Sequence, residues 1–389
     1  MIAACPFPAQ RGTPVRIYRA SEALAQNGHD VHVLTYHFGE PQSEHPFRIH
    51  RIPSLPFYRR LAAGPTYTKL FLMDPMLAVK IHMVIQKYGI DLIHAHHYEG
   101  LLASIPSSKF RGRPVIYDAH TLLENELPSY SMALPDSVKR MAGKYLDKRL
   151  PKFAKRIISV TEEIRQYLIH KAGIDPSRIT TIPNGVEFER FTRQIHEQVP
   201  DDKTKRIVYT GNFASYQGID LLLRAFLKIC EKSDDVHLCL VSSFSFDSYE
   251  KMAAQLGIRD RIEVISCGFD EIPGWLDRAD VAVNPRIVCD GLPQKLLNYM
   301  AAGKPLVSFS GSAKLIEHGK TGWIVENGDL DAFAQGILFL LRNPEKADEL
   351  GRNAQRYVQA ECTWEKVAEK MAEIYELTLN NQLPTQGFI

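Results

Sequence analysis

The residues best suited to chemistry lie in 284–305, NPRIVCDGLPQKLLNYMAAGKP. A strand-like run ends at Asn284, a Gly-Leu-Pro turn follows, and a helical pattern over 293–302 is stopped by Gly303. Gly291 permits close backbone approach, Pro293 suits a first helical position, and the N–H groups at such a helix start, from Gly291 through Leu292 to Gln294, form an anion site. Arg286 and Lys295 add positive charge beside it. Asp290, just before the helix, can accept sugar hydroxyls, while Asn298, two turns inside it, projects from the same face and can bond a ribose. These parts fit a diphosphate with a sugar at each end. The plainer alternative is that Asp290 caps the helix and Asn298 is a surface amide.

A second group surrounds His120, which follows a strand-like run at 114–117 and so stands at a carboxyl strand end, where α/β sheets bind ligands. Asp118 is close enough to fix its tautomer, and the alternative is a turn histidine bonded to its own loop. Glu124 and Glu126 read as a solvated helix start rather than a catalytic pair, although Glu124 could touch an acceptor. His94, His96 and His97 suggest a metal, but alternation along a strand end sends neighbours to opposite faces, which favours loop polarity. Asp329-Leu330-Asp331 has the letters of a cation-binding pair, yet it follows Asn327-Gly328 ahead of a helix and reads as an N-cap. No metal and no other cofactor is expected, because helix N-termini and basic side chains can carry a leaving group's charge.

These residues need strands and helices to hold them. Apolar strand-like runs at 2–5, 30–36, 92–95, 114–117 and 156–160 alternate with amphipathic segments, among them a helix over 21–27 stopped by Gly28. A second series follows the polar stretch 194–205, with runs at 206–209, 237–241, 262–265, 281–284, 305–309 and 323–325. Parallel βαβ units are implied, and hence two Rossmann-like doubly wound α/β domains, 1–190 and 200–362. The last segment, 363–389, begins as an amphipathic helix with Trp364, Val367, Met371, Ile374, Tyr375 and Leu377 as its apolar points. The 389 residues are 45% hydrophobic and 24% charged with net charge +2, an ordinary globular balance that gives nucleic acid little support as a partner. Six cysteines without a CxxC pair read as reduced thiols of a cytoplasmic protein. No apolar run approaches the roughly 18 residues that span a bilayer. The first strand is short, so the chain start is expected to lack a few residues.

The segment 284–305, with Gly319-Lys320-Thr321-Gly322-Trp323-Ile324-Val325, resembles the donor-site signature of the retaining family 4 glycosyltransferases of GT-B fold. The resemblance extends to Tyr209-Thr210-Gly211-Asn212-Phe213 through Gln217-Gly218, Thr181-Ile182-Pro183-Asn184-Gly185-Val186, Tyr117-Asp118-Ala119-His120, Arg11-Gly12-Thr13-Pro14 and Asn27-Gly28-His29-Asp30-Val31. It implies two facing domains, with the nucleotide-sugar donor held by the second and the chain end crossing back onto the first. It also implies that His120 contacts the donor sugar, that Gly211, Asn212, Gln217 and Gly268 join 290–298 in binding the donor, and that Arg11, Gly12, Thr13 and Glu124 lie on the acceptor side. Two departures stand out. The family's Glu-x7-Glu is Asp290 and Asn298 here, and the family's Arg and Lys of the glycine loop are Asn212 and Gln217. Arg286 and Lys295 are expected to supply the missing charge from the opposite side of the site.

The resemblance implies transfer of a hexose-type sugar from a UDP-sugar, with a GDP-sugar next, to a sugar, lipid-linked or small-molecule acceptor. A non-catalytic nucleotide- or lipid-binding subunit, or an epimerase or hydrolase of the same fold, are the alternatives. Arg11 and Arg16 could meet a phosphate or carboxylate or be unpaired surface. The basic run 136–156 with Met141 and Tyr145, and the aromatic stretch 56–73, suit an anionic membrane surface on the inner face of the cytoplasmic membrane, or a solvated and a core face respectively.

Overall fold

The computed structural model describes residues 1–9, 12–40, 44–58, 64, 66–130, 133–192 and 204–380. The chain divides into two units: Met1–Gly185 together with the chain from Trp364 on, and Val186–Thr363. Each is a fully parallel sheet covered by helices.

The first unit contains β1 (Ile2–Ala3), β2 (His32–Thr35), β3 (Arg48–Arg51), β4 (Ile93–His96), β5 (Val115–Ala119), β6 (Arg156–Ser159) and β7 (Ile179–Thr181), in the order β3-β2-β1-β4-β5-β6-β7. Strands β2, β4, β5 and β6 are buried along their whole length, as expected of central parallel strands with helices on both faces. The order reverses between β1 and β4, so the crevice beyond their carboxyl ends is this unit's natural ligand position. The register sets His96 opposite Asp118, and His120 directly follows β5.

The second unit contains β8 (Lys205–Thr210), β9 (Val236–Val241), β10 (Ile262–Ile265), β11 (Val281–Asn284), β12 (Leu306–Phe309) and β13 (Trp323–Val325), ordered β10-β9-β8-β11-β12-β13. Its switch point lies between β8 and β11. The two loops that leave those strands are the glycine loop beginning at Gly211 and the Pro285–Pro293 turn, so topology alone brings the donor-signature segments side by side.

The helix Trp364–Leu379 packs on the helix Gly12–Gln26 of the first unit. Trp364, Val367, Met371, Ile374 and Tyr375 are buried in a cluster with Phe7, Ile17, Leu24 and Ile182. Gly185 makes room for this contact, since a Cβ there would stand 2.5 Å from the Trp364 ring. Among the described residues no helix is long and apolar enough to cross a membrane.

Candidate active site

In the second unit the helix is Gln294–Ala301, with Pro293 as N-cap rather than first helical residue. Tyr299 holds this helix against β8, its hydroxyl accepting from Thr210 N at 2.7 Å. The loop ahead of it is pinned too: Asn284 Nδ2 donates to Ser308 Oγ and Ser312 Oγ, and Ser312 donates to the Arg286 carbonyl. Gly218, at φ +74°, lets the glycine loop lie on this turn, because a Cβ there would meet Pro285 O at 2.3 Å.

Lys295 connects the two loops. Its Nζ donates to Gln217 Oε1 at 3.0 Å, stands 3.9 Å from the centre of the Tyr209 ring, and lies where a Cβ on Gly211 would come within 3.1 Å. Burial, then the neighbouring Arg286 charge, hold the Lys295 ammonium well below the usual lysine range. Arg286 donates to Val288 O at 2.7 Å and lies 4.9 Å over the Tyr216 ring. Asn212 is turned to its own loop, its Oδ1 accepting from Ala214 N at 3.1 Å. Asn298 is a buried residue, 4% exposed, and its Oδ1 accepts no hydrogen bond. It is therefore not a surface amide, and an orphaned buried acceptor costs about 1–3 kcal/mol unless something donates to it. Leu292 and Pro293 are buried, and Asp290, Gly291 and Gln294 half-buried. Gly268 is exposed beyond β10, its N–H donates to Glu271 Oε2 at 2.8 Å, and a Cβ would meet nothing closer than 3.8 Å, so nothing there requires glycine. Asp329 Oδ1 accepts from Ala332 N at 2.9 Å and caps its helix.

In the first unit the ring of His120 is 7% exposed. Its Nε2 lies 3.2 Å from His96 Nδ1 and 3.8 Å from Asp118 Oδ2, so the hydrogen-bond neighbour is His96 and not, as the sequence suggests, Asp118. Burial foremost pushes His120 down to about 3, which leaves it neutral near pH 7. Arg16 is 1% exposed and no surface residue: Nε and Nη2 donate to the two Asp118 oxygens at 2.9 and 3.3 Å, while Nη1 and Nη2 donate to the Pro183 and Ile182 carbonyls. The carbonyls of the Thr181–Val186 motif are thus the seat of a guanidinium. Asp118 is held well below the usual carboxylate range: burial opposes its charge, and Arg16 overrides it.

His94 and His96 are buried strand residues on one face of β4, which corrects the reading as loop polarity. His94 Nε2, His96 Nδ1 and Asp118 Oδ2 lie within 4.8 Å of one another. The set does not suit a cation, since Asp118 Oδ2 already accepts from Arg16 and the two imidazoles stack at 4.3 Å and 17°, so their in-plane lone pairs run side by side. His97, in the left-handed region at φ +62°, is clamped between Glu99 Oε2 (2.9 Å from Nδ1) and Glu126 Oε2 (3.1 Å from Nε2). Glu126 also accepts from Thr121 and Tyr130 and is held at about 2, burial opposing and the His97 charge prevailing. Glu124 accepts from the Tyr167 hydroxyl at 2.8 Å. The pair is therefore built into the fold rather than solvated. Gly12 and Thr13 open the helix Gly12–Gln26, and Arg11 lies outside the described residues.

The sequence reading missed the His97 clamp and the Arg16–Asp118 pair. A signal existed for the place of Asp118 beside the histidines, though not for Arg16: His94/His96 and Asp118/His120 are both spaced by two, so adjacent strands would bring these residues to one face.

Residues 11–190 match the family described as Glycosyltransferase Family 4, and residues 191–357 match Glycosyl transferases group 1. D-inositol 3-phosphate glycosyltransferase of Pseudarthrobacter chlorophenolicus is 24% identical over 398 aligned positions, covering 96% of this chain and 91% of its own length. Sucrose-phosphate synthase of Thermosynechococcus elongatus superposes with a TM-score of 0.77 at 21% identity, over 98% of this chain and 96% of that one. Anabaena HepE in complex with UDP gives 0.72 at 18% identity, over 96% and 100%. These structural likenesses establish the GT-B fold of two Rossmann-like domains.

Proposed function

Because the chain belongs to the glycosyltransferases, family 4 in its first half and group 1 in its second, we propose that it is a retaining, metal-independent hexosyltransferase. It takes a nucleoside diphosphate sugar, UDP-sugar before GDP-sugar, and transfers the sugar to a sugar, lipid-linked or small-molecule acceptor. The carrying observation is Lys295, whose Nζ joins the glycine loop to the helix start at Gln217 Oε1, 3.0 Å away. A diphosphate lying between those loops meets Lys295, Arg286 and the N–H groups at the start of Gln294–Ala301. The relation to Anabaena HepE, solved with UDP and with UDP-glucose, supports a uridine nucleotide.

In the proposed reaction the bond from the anomeric carbon to the diphosphate oxygen breaks, and its electron pair stays on the phosphate. Lys295, Arg286 and the helix start stabilise that charge. The acceptor oxygen bonds the anomeric carbon from the same face and passes its proton to the departing phosphate oxygen. Asp290 holds the sugar and Asn298 the ribose, and the family resemblance gives His120 a contact to the sugar. No protein nucleophile and no metal takes part. Glu124, whose Oε2 accepts from Tyr167, lies on the acceptor side. The basic helix Asp136–Arg149 exposes Met141 (68%) and Tyr145 (61%), and Phe57 (72%), Tyr67 (63%) and Phe71 (76%) are also exposed, which supports work at an anionic membrane surface.

A thermal-shift panel of nucleoside diphosphates, followed by donor turnover with and without acceptors, tests the proposal. A ligand at 100 times its Kd stabilises the fold by about 2.7 kcal/mol. No shift with any nucleoside diphosphate removes the donor site. Donor turnover that needs no acceptor turns the reading to a hydrolase or epimerase, and binding without turnover to a non-catalytic subunit.

A further inference from the structure

The helix Trp364–Leu379 sends the Tyr375 hydroxyl into the buried core of the first unit. The Tyr375 hydroxyl lies 2.6 Å from His94 Nδ1, between residues 281 positions apart in the chain. On the other side of that ring, His94 Nε2 lies 3.4 Å from Asp118 Oδ2 without completing a hydrogen bond. The same carboxylate oxygen stands 3.3 Å from His96 Nδ1, which in turn is 3.2 Å from His120 Nε2. Every side chain in this series is less than a tenth exposed.

Electrostatics orders the protons. Asp118 is anionic beside Arg16, so a bare ring nitrogen facing it is repelled and a ring N–H is attracted. His96 therefore carries its proton on Nδ1. Its other nitrogen faces Met1 Sδ at 3.2 Å, a weak acceptor that competes poorly with a carboxylate. His120 Nε2 stands 3.2 Å from that N–H and 3.8 Å from Asp118 Oδ2, so the nearer contact decides: a second N–H there would oppose the first, and the complementary form of His120 has a lone pair on Nε2 and the proton on Nδ1. His94 likewise turns Nε2–H to Asp118, which leaves Nδ1 to accept from the Tyr375 hydroxyl. Burial holds that phenol protonated and all three imidazoles neutral, in agreement with these assignments.

We propose that Tyr375, His94, Asp118 and His96 form a positioning chain that begins on the C-terminal helix and locks His120 in its Nδ1–H tautomer. An isolated neutral histidine favours the Nε2–H form, so this is a departure imposed by the fold. The consequence for catalysis rests on the reading of His120 as a sugar contact; the tautomer itself does not. His120 then offers an N–H from Nδ1, so its ring is a donor to a sugar oxygen and not a base. The C-terminal helix becomes part of the catalytic apparatus without touching substrate.

The test uses the full chain labelled with 15N-histidine, long-range proton–nitrogen correlation, and His120→Asn to assign the signal. The expected result is a neutral Nδ1–H pattern for His120 that does not titrate between about pH 6 and 8. An Nε2–H pattern, or titration in that range, overturns the proposal. In Tyr375→Phe, His94 Nδ1 loses its donor and the ring loses the anchor that holds Nε2 toward Asp118, so the His120 signal shifts toward a tautomer mixture and kcat falls about fivefold with the Kd of the nucleoside diphosphate unchanged. His96→Gln moves the His120 signal further. If the His120 tautomer is the same in both variants as in the parent chain, the chain of positioning residues does not exist. A parent chain that transfers no sugar while showing the Nδ1–H pattern removes the proposed function and leaves this inference standing.

Discussion

Replacing Lys295 by methionine keeps an unbranched side chain and deletes the ammonium that lies 3.9 Å from the centre of the Tyr209 ring and donates to Gln217 at 3.0 Å. In the free protein that ammonium is desolvated and stands beside Arg286, and its pKa is held well below the usual lysine value. A diphosphate reverses the balance, because two or three negative oxygens a few ångströms away favour the charged form. Binding should therefore be coupled to proton uptake. The sign follows: the complex prefers the protonated lysine, so affinity falls as pH rises through the depressed pKa of the free protein toward that of the complex. A charge-assisted hydrogen bond is worth about 1.5–3 kcal/mol, so Lys295→Met should weaken nucleoside diphosphate binding by roughly 10- to 150-fold at neutral pH. Titration calorimetry in two buffers of different ionisation enthalpy reads both effects: the parent chain takes up protons on binding, and Lys295→Met takes up fewer. Affinity within about twofold of the parent, or equal proton uptake in both, refutes the argument that Lys295 carries the diphosphate.

Gly218→Ala places a methyl 2.3 Å from the Pro285 carbonyl at a φ of +74°, and should cost about 1–3 kcal/mol in urea unfolding while also weakening donor binding, since it drives the two site loops apart. Trp364→Ala empties the contact with Gly185 and should cost about 3–5 kcal/mol, read as a lowered midpoint of unfolding. Glu126, held at about 2 against an ordinary 4.5, stabilises the fold above its unfolded pKa and loses that contribution as pH falls toward 2. Glu126→Gln should thus lower stability at pH 7 by about 3 kcal/mol and flatten the acid limb of the stability profile. Asn298→Glu should weaken donor binding by repulsion, and adding Gln217→Lys should recover part of it, less the loss of the Lys295 contact that Gln217→Lys alone measures; additive effects in the double-mutant cycle would show two independent positions.

Most of the strands were legible because central parallel strands are short, apolar and bounded by turn residues. The runs at 262–265, 281–284 and 323–325 coincide with β10, β11 and β13, and the others differ by a few residues at their ends. The two strands not read are instructive. Strand β3 is Arg-Ile-His-Arg at the sheet edge, half-buried or exposed, and carries no apolar alternation to detect. Strand β7 has three residues, too few for any periodicity. The first helix was read only over 21–27 because Gly12 and Pro14 look like loop residues. The helix in fact begins at Gly12, with proline tolerated in its first turn.

The same division governs the site. Where all the relevant residues lie in one segment, as in 284–305, spacing alone gives the turn, the helix and its charges. Where a group is defined by partners far along the chain, composition misleads. A lone arginine near a helix start reads as surface, yet Arg16 is buried because Asp118, 102 residues away, and two carbonyls beyond residue 180 satisfy its donors. The histidines of β4 read as loop polarity for the same reason, since their neighbours come from β5 and from the last helix. In both cases a single carboxylate, Asp118, makes burial of polar groups affordable. Its partners Arg16, His94, His96 and His120 come from the first helix, β4 and the end of β5, and Tyr375 joins through His94. A substitution at Asp118 would accordingly strand a buried guanidinium, and its effect on activity could not be separated from its effect on folding. Changes at Tyr375 and His96 leave the Arg16–Asp118 pair intact and so can report on His120 without stranding the guanidinium.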